Sequence, residues 1–213
     1  MQIKLAVAAA ALFLVAVQSG AEQLNIAASA EATQPVKVGE RAPAFTVRQV
    51  DGKPFHFDPN ALERPVMLIT FRGGWCPFCN IHLQELRHVV PELKQSGYDV
   101  LFLSADRPEI LYSSLKEENQ ALDYTILSDA EMQASSRLGI AFRLPDAYIE
   151  RLKQNNLDLE KASGTTLHAL PVPAVFIVDT AGVIRFAHVN PDYRVRLSAD
   201  AVRTAAVALL QPL

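Results

Sequence analysis

The period of hydrophobic and polar positions changes several times along the chain, and the changes divide it into elements. Phe45 to Val50 and Lys53 to Phe57 flank Asp51-Gly52. This predicts a β-hairpin, because Asp-Gly readily takes the positive φ angles of a two-residue turn. Val66-Met-Leu-Ile-Thr-Phe71 is almost wholly apolar and partly β-branched, as a strand covered on both faces requires. From Cys76 to Gln95 the period becomes helical, with Leu83, Leu86, Val90 and Leu93 at spacings of three and four. Pro91 interrupts that pattern and predicts a kink or an early end. Asp99 to Ala105 reads as a strand, Pro108 to Asn119 as a helix and Tyr124 to Leu127 as a short strand. Ser128 or Asp129 can cap a short helix that ends at Gly139. Val175 to Val178 and Val183 to Val189 predict a second hairpin about Asp179 to Gly182. Ser198 can cap a last helix whose apolar face is Val202, Ala205, Ala206, Leu209 and Leu210.

Strands alternating with helices imply an α/β fold with right-handed crossovers and a parallel core. The final hairpin makes the central sheet mixed, and the first adds an N-terminal β-hairpin extension. Leu144 to Leu170 is the weakest pattern. It reads as one helix, Asp146 to Gln154, and a loop inserted before the last hairpin. There is no internal repeat.

The N-terminus reads as an export signal. Lys4 precedes an uncharged apolar run of 13 residues, Leu5 to Val17, and Ser19-Gly20-Ala21 supplies small residues for a cut after Ala21. An uncleaved anchor is the alternative, although the run is short for a bilayer-spanning helix. Residues 22–37 read as a flexible tail, leaving one domain from Val38 to Leu213. The expected location is periplasmic or secreted, with no membrane contact after cleavage. The chain has 20 basic and 23 acidic residues among 213, a net charge of −3. That balance gives no reason to expect nucleic acid as a partner.

Chemistry concentrates where the first apolar strand meets the first long helix, in Phe71-Arg-Gly-Gly-Trp-Cys-Pro-Phe-Cys79. Cys76 and Cys79 are the chain's two cysteines. Cys76 falls at a helix N-terminus, where free N–H groups and the macrodipole favour a thiolate. Arg72 can add positive charge. Cys79, one turn on, can attack a mixed disulfide on Cys76. Cys76 is therefore the candidate nucleophile, Cys79 the resolving thiol, and the two together a redox disulfide. Pro77 stiffens the turn, and Trp75 can cover the sulfur. Half of a zinc site is disfavoured, because no second Cys-x-x-Cys is present. The sulfur pair itself carries the electrons, so neither cofactor nor metal is expected. His168 precedes Pro173 in sequence and could carry protons, though a solvated loop histidine is preferred. Asp106 follows the second core strand, where α/β sites gather, though a cap for the helix at Pro108 is preferred.

These segments resemble the thioredoxin fold, and more closely the alkyl hydroperoxide reductase / thiol-specific antioxidant (peroxiredoxin-like) family. The likeness runs from about Val38 to Leu210. Val38-Gly-Glu-Arg-Ala-Pro-Ala-Phe45 resembles the family's opening segment, and Phe71 to Asn80 its peroxiredoxin-like active-site segment. Leu127-Ser-Asp129 and Leu170-Pro-Val-Pro-Ala-Val-Phe-Ile-Val-Asp179 are similar to its later strands, and Asn190-Pro-Asp-Tyr193 also matches. The resemblance implies a cis Val172–Pro173 bond, with the Val172 backbone left free to pair with an extended thiol substrate. Two departures stand out. Typical peroxiredoxins carry Thr or Ser three residues before the reactive cysteine and Pro seven before, where this chain has Gly73 and Ile69. Thioredoxins carry a buried acid six residues before, where this chain has Thr70.

The expected function is extracytoplasmic thiol–disulfide exchange with a protein partner. The alternative is a thiol peroxidase that reduces hydroperoxides through Cys76. A third, non-enzymatic reading is copper handling by Cys76, Cys79 and His168.

Overall fold

The computed structural model describes residues 23–117 and 125–210. The signal-like segment lies outside them. The strands are β1 (Phe45–Gln49), β2 (Pro54–Phe57), β3 (Val66–Phe71), β4 (Asp99–Ser104), β5 (Thr125–Ser128), β6 (Ala141–Arg143), β7 (Ala169–Pro171), β8 (Ala174–Val178) and β9 (Ile184–Val189). The helices are α1 (Pro77–Arg87), α2 (Val90–Gln95), α3 (Pro108–Glu117), α4 (Gln133–Arg137), α5 (Asp146–Gln154), α6 (Leu159–Ser163) and α7 (Ala199–Leu210).

Seven strands form one mixed sheet in the order β2-β1-β5-β4-β3-β8-β9. β3 pairs in parallel with β4 and β4 with β5, while β8 runs antiparallel to both β3 and β9. Side chains alternate across a strand, so each central strand feeds two cores. Val66 and Leu68, Leu101 and Leu103, and Phe176 and Val178 pack on one face. Met67, Ile69 and Phe71, Val100 and Phe102, and Val175 and Ile177 pack on the other. That second face is covered by Leu86 of α1, Val90 and Leu93 of α2, and Val202 and Ala206 of α7, and it also holds both cysteines.

The helix that begins at Pro77 is interrupted before Pro91, as expected, with His88 and Val89 between α1 and α2. Asp129 does cap α4, though from outside it: its carboxylate accepts from the Ala134 and Ser135 N–H groups and from the Ser135 hydroxyl. The face assigned to α7 is narrower than expected, since Leu209 and Leu210 are exposed. The weakly patterned stretch holds more than a helix and a loop. It adds α6 and ends in β7, which pairs with β6 in a separate two-stranded sheet. A third core gathers there around Leu144, Ile149, Leu159 and Leu170.

The segment read as a tail is laid along this small sheet. Ala27 N–H donates to the Ala141 carbonyl, Arg143 N–H donates to the Ala27 carbonyl, and Val36 N–H donates to the Leu138 carbonyl. Its small, polar composition hid this, because backbone bonds hold it and its apolar side chains are few. Among the described residues no helix is long and apolar enough to cross a membrane.

Candidate active site

β3 delivers the chain to the edge of the core, and Arg72-Gly73-Gly74-Trp75 turns it into α1. Cys76 is the N-cap of that helix, with extended backbone (φ −91°, ψ 112°), and Pro77 takes the first helical position. The Cys76 carbonyl accepts from the N–H groups of Cys79 and Asn80, at 3.0 and 3.1 Å. The Asn80 side chain donates back to the Gly74 carbonyl at 2.8 Å, fixing the turn against the helix. Both cysteines are free thiols and both are buried, Cys76 at 2% exposure and Cys79 at 0%.

The two thiols polarise each other. The hydrogen bond from Cys79 to Cys76 is the largest influence bringing Cys76 down to about 6, and the charges of Arg72 and Arg196 add to it against the cost of burial. The same hydrogen bond, together with burial, pushes Cys79 far above the ordinary thiol range. In the sequence, the helix start marks the acidic thiol. The structure adds that its neighbour one turn on has the larger effect.

Arg72 is buried inside an aromatic cage. Its guanidinium carbon lies 5.1 Å from the Trp75 ring, 5.4 Å from Tyr148 and 4.3 Å from Tyr193, and its Nη2 donates to the Tyr148 hydroxyl at 2.5 Å. Tyr148 comes from α5, so the inserted segment supplies one wall of the site. The guanidinium is weakly hydrated and stacks well on rings, which lets this cation sit in a largely apolar enclosure.

Asp106 belongs to the site, contrary to its reading as a helix cap. It is 1% exposed, and its Oδ2 accepts the Gly74 N–H at 2.7 Å. Burial is the main reason its carboxyl is raised to about 6, and the charge on Cys76 raises it further. Its Oδ1 faces Gly73. A Cβ on Gly73 would lie 2.6 Å from that oxygen and would also collide with Trp75 Nε1, and Gly73 has φ +140°. Glycine at this position is thus required by its neighbours and its backbone.

Pro173 opens β8. The register pairs Thr70 with Ala174, which places Pro173 opposite the end of β3. The expected cis bond is not found: the Val172–Pro173 bond is trans. Nor is the Val172 backbone free. Its N–H donates to the Ile140 carbonyl at 2.8 Å, and its carbonyl accepts the Thr70 hydroxyl at 3.0 Å. The Thr70 oxygen in turn accepts the Ala174 N–H at 2.9 Å. Thr70, which stands where an acid was looked for, therefore ties both sides of the proline to β3, and the Val172 N–H is already committed.

His168 stands apart from the thiols. Its Nε2 meets Glu160 Oε1 of α6 at 2.7 Å, so the third ligand of the copper reading is engaged elsewhere. The sequence also missed Arg196, on the segment between β9 and α7. Its Nη2 donates to Cys79 Sγ at 3.4 Å.

The family model for the AhpC/TSA family matches residues 38–187. The chain belongs to the AhpC/TSA family. Within this family, Peroxiredoxin Bcp of Escherichia coli is 33% identical over 106 residues, covering 50% of this chain and 66% of that protein. The alignment thus spans slightly less than two thirds of that relative. A thiol-disulfide oxidoreductase, ResA of Bacillus cereus, is 27% identical over 77 residues, 36% of this chain and 43% of that protein. The solved structure of a peroxiredoxin-like protein from Aquifex aeolicus superimposes with a TM-score of 0.61 at 20% identity, over 83% of this chain and 89% of the other. That likeness gives the fold, a thioredoxin-like mixed sheet flanked by helices.

Proposed function

We propose that this AhpC/TSA member is a thiol oxidoreductase whose working parts are Cys76 and Cys79, and that its main reaction is disulfide exchange with a protein partner. The observation that carries this reading is the placement of the pair: Cys76 caps α1 and its carbonyl accepts the Cys79 N–H, so one turn of helix holds a thiol lowered in pKa beside one that is raised. The Cys76 thiolate attacks a partner disulfide and releases one partner thiolate, leaving a mixed disulfide. Cys79 then attacks Cys76 Sγ, closing the Cys76–Cys79 disulfide and releasing the second partner thiol. Two electrons pass from the pair to the partner, and no cofactor is needed. Arg72 steadies the first thiolate, and Trp75 and Pro77 shape its enclosure.

The second reading is hydroperoxide reduction, favoured by the family and by the Bcp match. The Cys76 thiolate would attack the hydroperoxide, breaking its O–O bond, releasing water or an alcohol and leaving a sulfenic acid, with which Cys79 would condense to the disulfide with loss of water. The crowding over Gly73 counts against it, because it denies the site the side-chain hydroxyl that orients a peroxide in typical relatives. We also propose export, on the strength of Lys4, the apolar run and Ser19-Gly20-Ala21 alone.

Steady-state turnover with insulin as disulfide substrate, set against hydrogen peroxide and an organic hydroperoxide, tests the order of the two readings. Faster disulfide reduction is expected. Peroxide turnover that outruns it would reverse them.

A further inference from the structure

Arg196 is half-buried, and its guanidinium reaches the thiol pair with no carboxylate beside it among the described residues. Its Nη2 donates to Cys79 Sγ at 3.4 Å, while its Nε and Nη1 are buried with no protein partner. No ion pair to it is found among the described residues. Guanidinium nitrogens held away from water are costly unless a counter-charge meets them. The arrangement therefore suits an anion that forms next to Arg196 during turnover.

The resting pair shows where that anion forms. The negative charge rests on Cys76, and the Cys79 thiol donates to it. Once Cys76 enters a mixed disulfide, its charge is gone and Cys79 no longer has an anion to serve. Arg196 is then the cation in contact with Cys79. The other charged or titratable groups around the pair are Arg72 on the Cys76 side, Asp106 under Gly74, and His82 and His188. Burial keeps His82 neutral, with its pKa down at about 4 and its Nε2 donating to the Leu197 carbonyl, and burial lowers His188 as well.

We infer that Arg196 is a catalytic residue of the second half-reaction, its Nη2 holding the Cys79 thiolate while that sulfur attacks the mixed disulfide. This rests on the two-thiol reading above. In the step, Cys79 gives up its proton and its sulfur lone pair forms the bond to Cys76 Sγ. The bond between Cys76 and the partner sulfur breaks, and its electron pair leaves with the partner sulfur, which takes up a proton. Arg196 keeps its own protons throughout.

Rapid mixing of the reduced chain with a symmetrical nitroaryl disulfide, whose released thiolate is coloured, separates the two steps. Attack by Cys76 releases the first coloured thiolate, and resolution by Cys79 releases the second. Arg196→Met should slow the second release at least about threefold: a one-unit rise in thiol pKa cuts the thiolate fraction about tenfold, and greater nucleophilicity returns about threefold. The first release should change less, and Arg196→Lys should recover part of the loss. Thiolate absorbance in a Cys76→Ser background gives an independent readout, in which Arg196→Met raises the Cys79 titration midpoint and Arg196→Lys raises it less. An unchanged second release, or equal slowing of both, overturns the assignment while leaving the two-thiol reading intact. A wild-type chain that releases only one equivalent overturns the two-thiol reading, and this assignment with it.

Discussion

Trp75 Nε1 occupies the place where a side chain on Gly73 would begin, with Asp106 Oδ1 beside it. This contact explains the departure most visible in the active-site segment. The family's usual hydroxyl is missing at Gly73 because an indole N–H and a carboxylate fill its space. The positive φ of Gly73 adds a backbone reason for the same residue.

Restoring the hydroxyl at Gly73 is therefore expected not to raise peroxide turnover. Gly73→Thr should destabilise the fold by about 2–4 kcal/mol, combining overpacking with a β-branched residue at positive φ. Urea unfolding measures the loss, and peroxide consumption by the folded fraction should not rise.

Thr70 gives a second prediction. Its hydroxyl serves two buried backbone groups, the Val172 carbonyl and the Ala174 N–H. Thr70→Val keeps the shape and strands both, so it should cost about 2–6 kcal/mol, the sum of two unsatisfied buried groups. Thr70→Ser, which keeps the oxygen, should cost less than Thr70→Val in the same unfolding experiment.

The polarised thiols make stability depend on pH. Cys76 is lowered to about 6, so between that pH and the ordinary thiol range the native chain has lost a proton that the unfolded chain still holds. Its contribution to stability therefore rises with pH across that window, is complete above the unfolded value, and is lost as pH falls through about 6. Cys79 is raised and acts oppositely above the ordinary thiol range, where the unfolded chain deprotonates first. Denaturant midpoints of the reduced protein should climb from pH 6 to pH 8, and the climb should flatten in Cys76→Ser. An equal climb in that variant would assign it to other groups.

What the sequence made legible was local. The apolar run of β3, the Asp51-Gly52 turn, the break before Pro91 and the bounds of α5 each follow from a few adjacent residues. Local signals also found Cys76 and Cys79, because helix register brings them together. The rest depends on contacts between distant residues. Arg196 is 117 positions from the sulfur it touches, and Asp106 is 32 from the Gly74 it accepts from. Nothing near Arg196 marks it, and the strand end that drew notice to Asp106 fitted a helix cap equally well. The three-residue strands β6 and β7 lie below the length at which alternation can be read. The trans Val172–Pro173 bond is tied to the Thr70 hydroxyl, a partner on another strand.

The central claim is that Cys76 exchanges disulfides faster than it reduces peroxide, and one competition tests it most directly. Reduced Cys79→Ser, which cannot resolve, is offered equal concentrations of a peptide disulfide and hydrogen peroxide, and Cys76 is then read by mass spectrometry with a dimedone-type trap present. The expected product is the peptide joined to Cys76 as a mixed disulfide, with little trapped sulfenic acid. Rapid, stoichiometric sulfenic acid on Cys76 with no peptide adduct would contradict it.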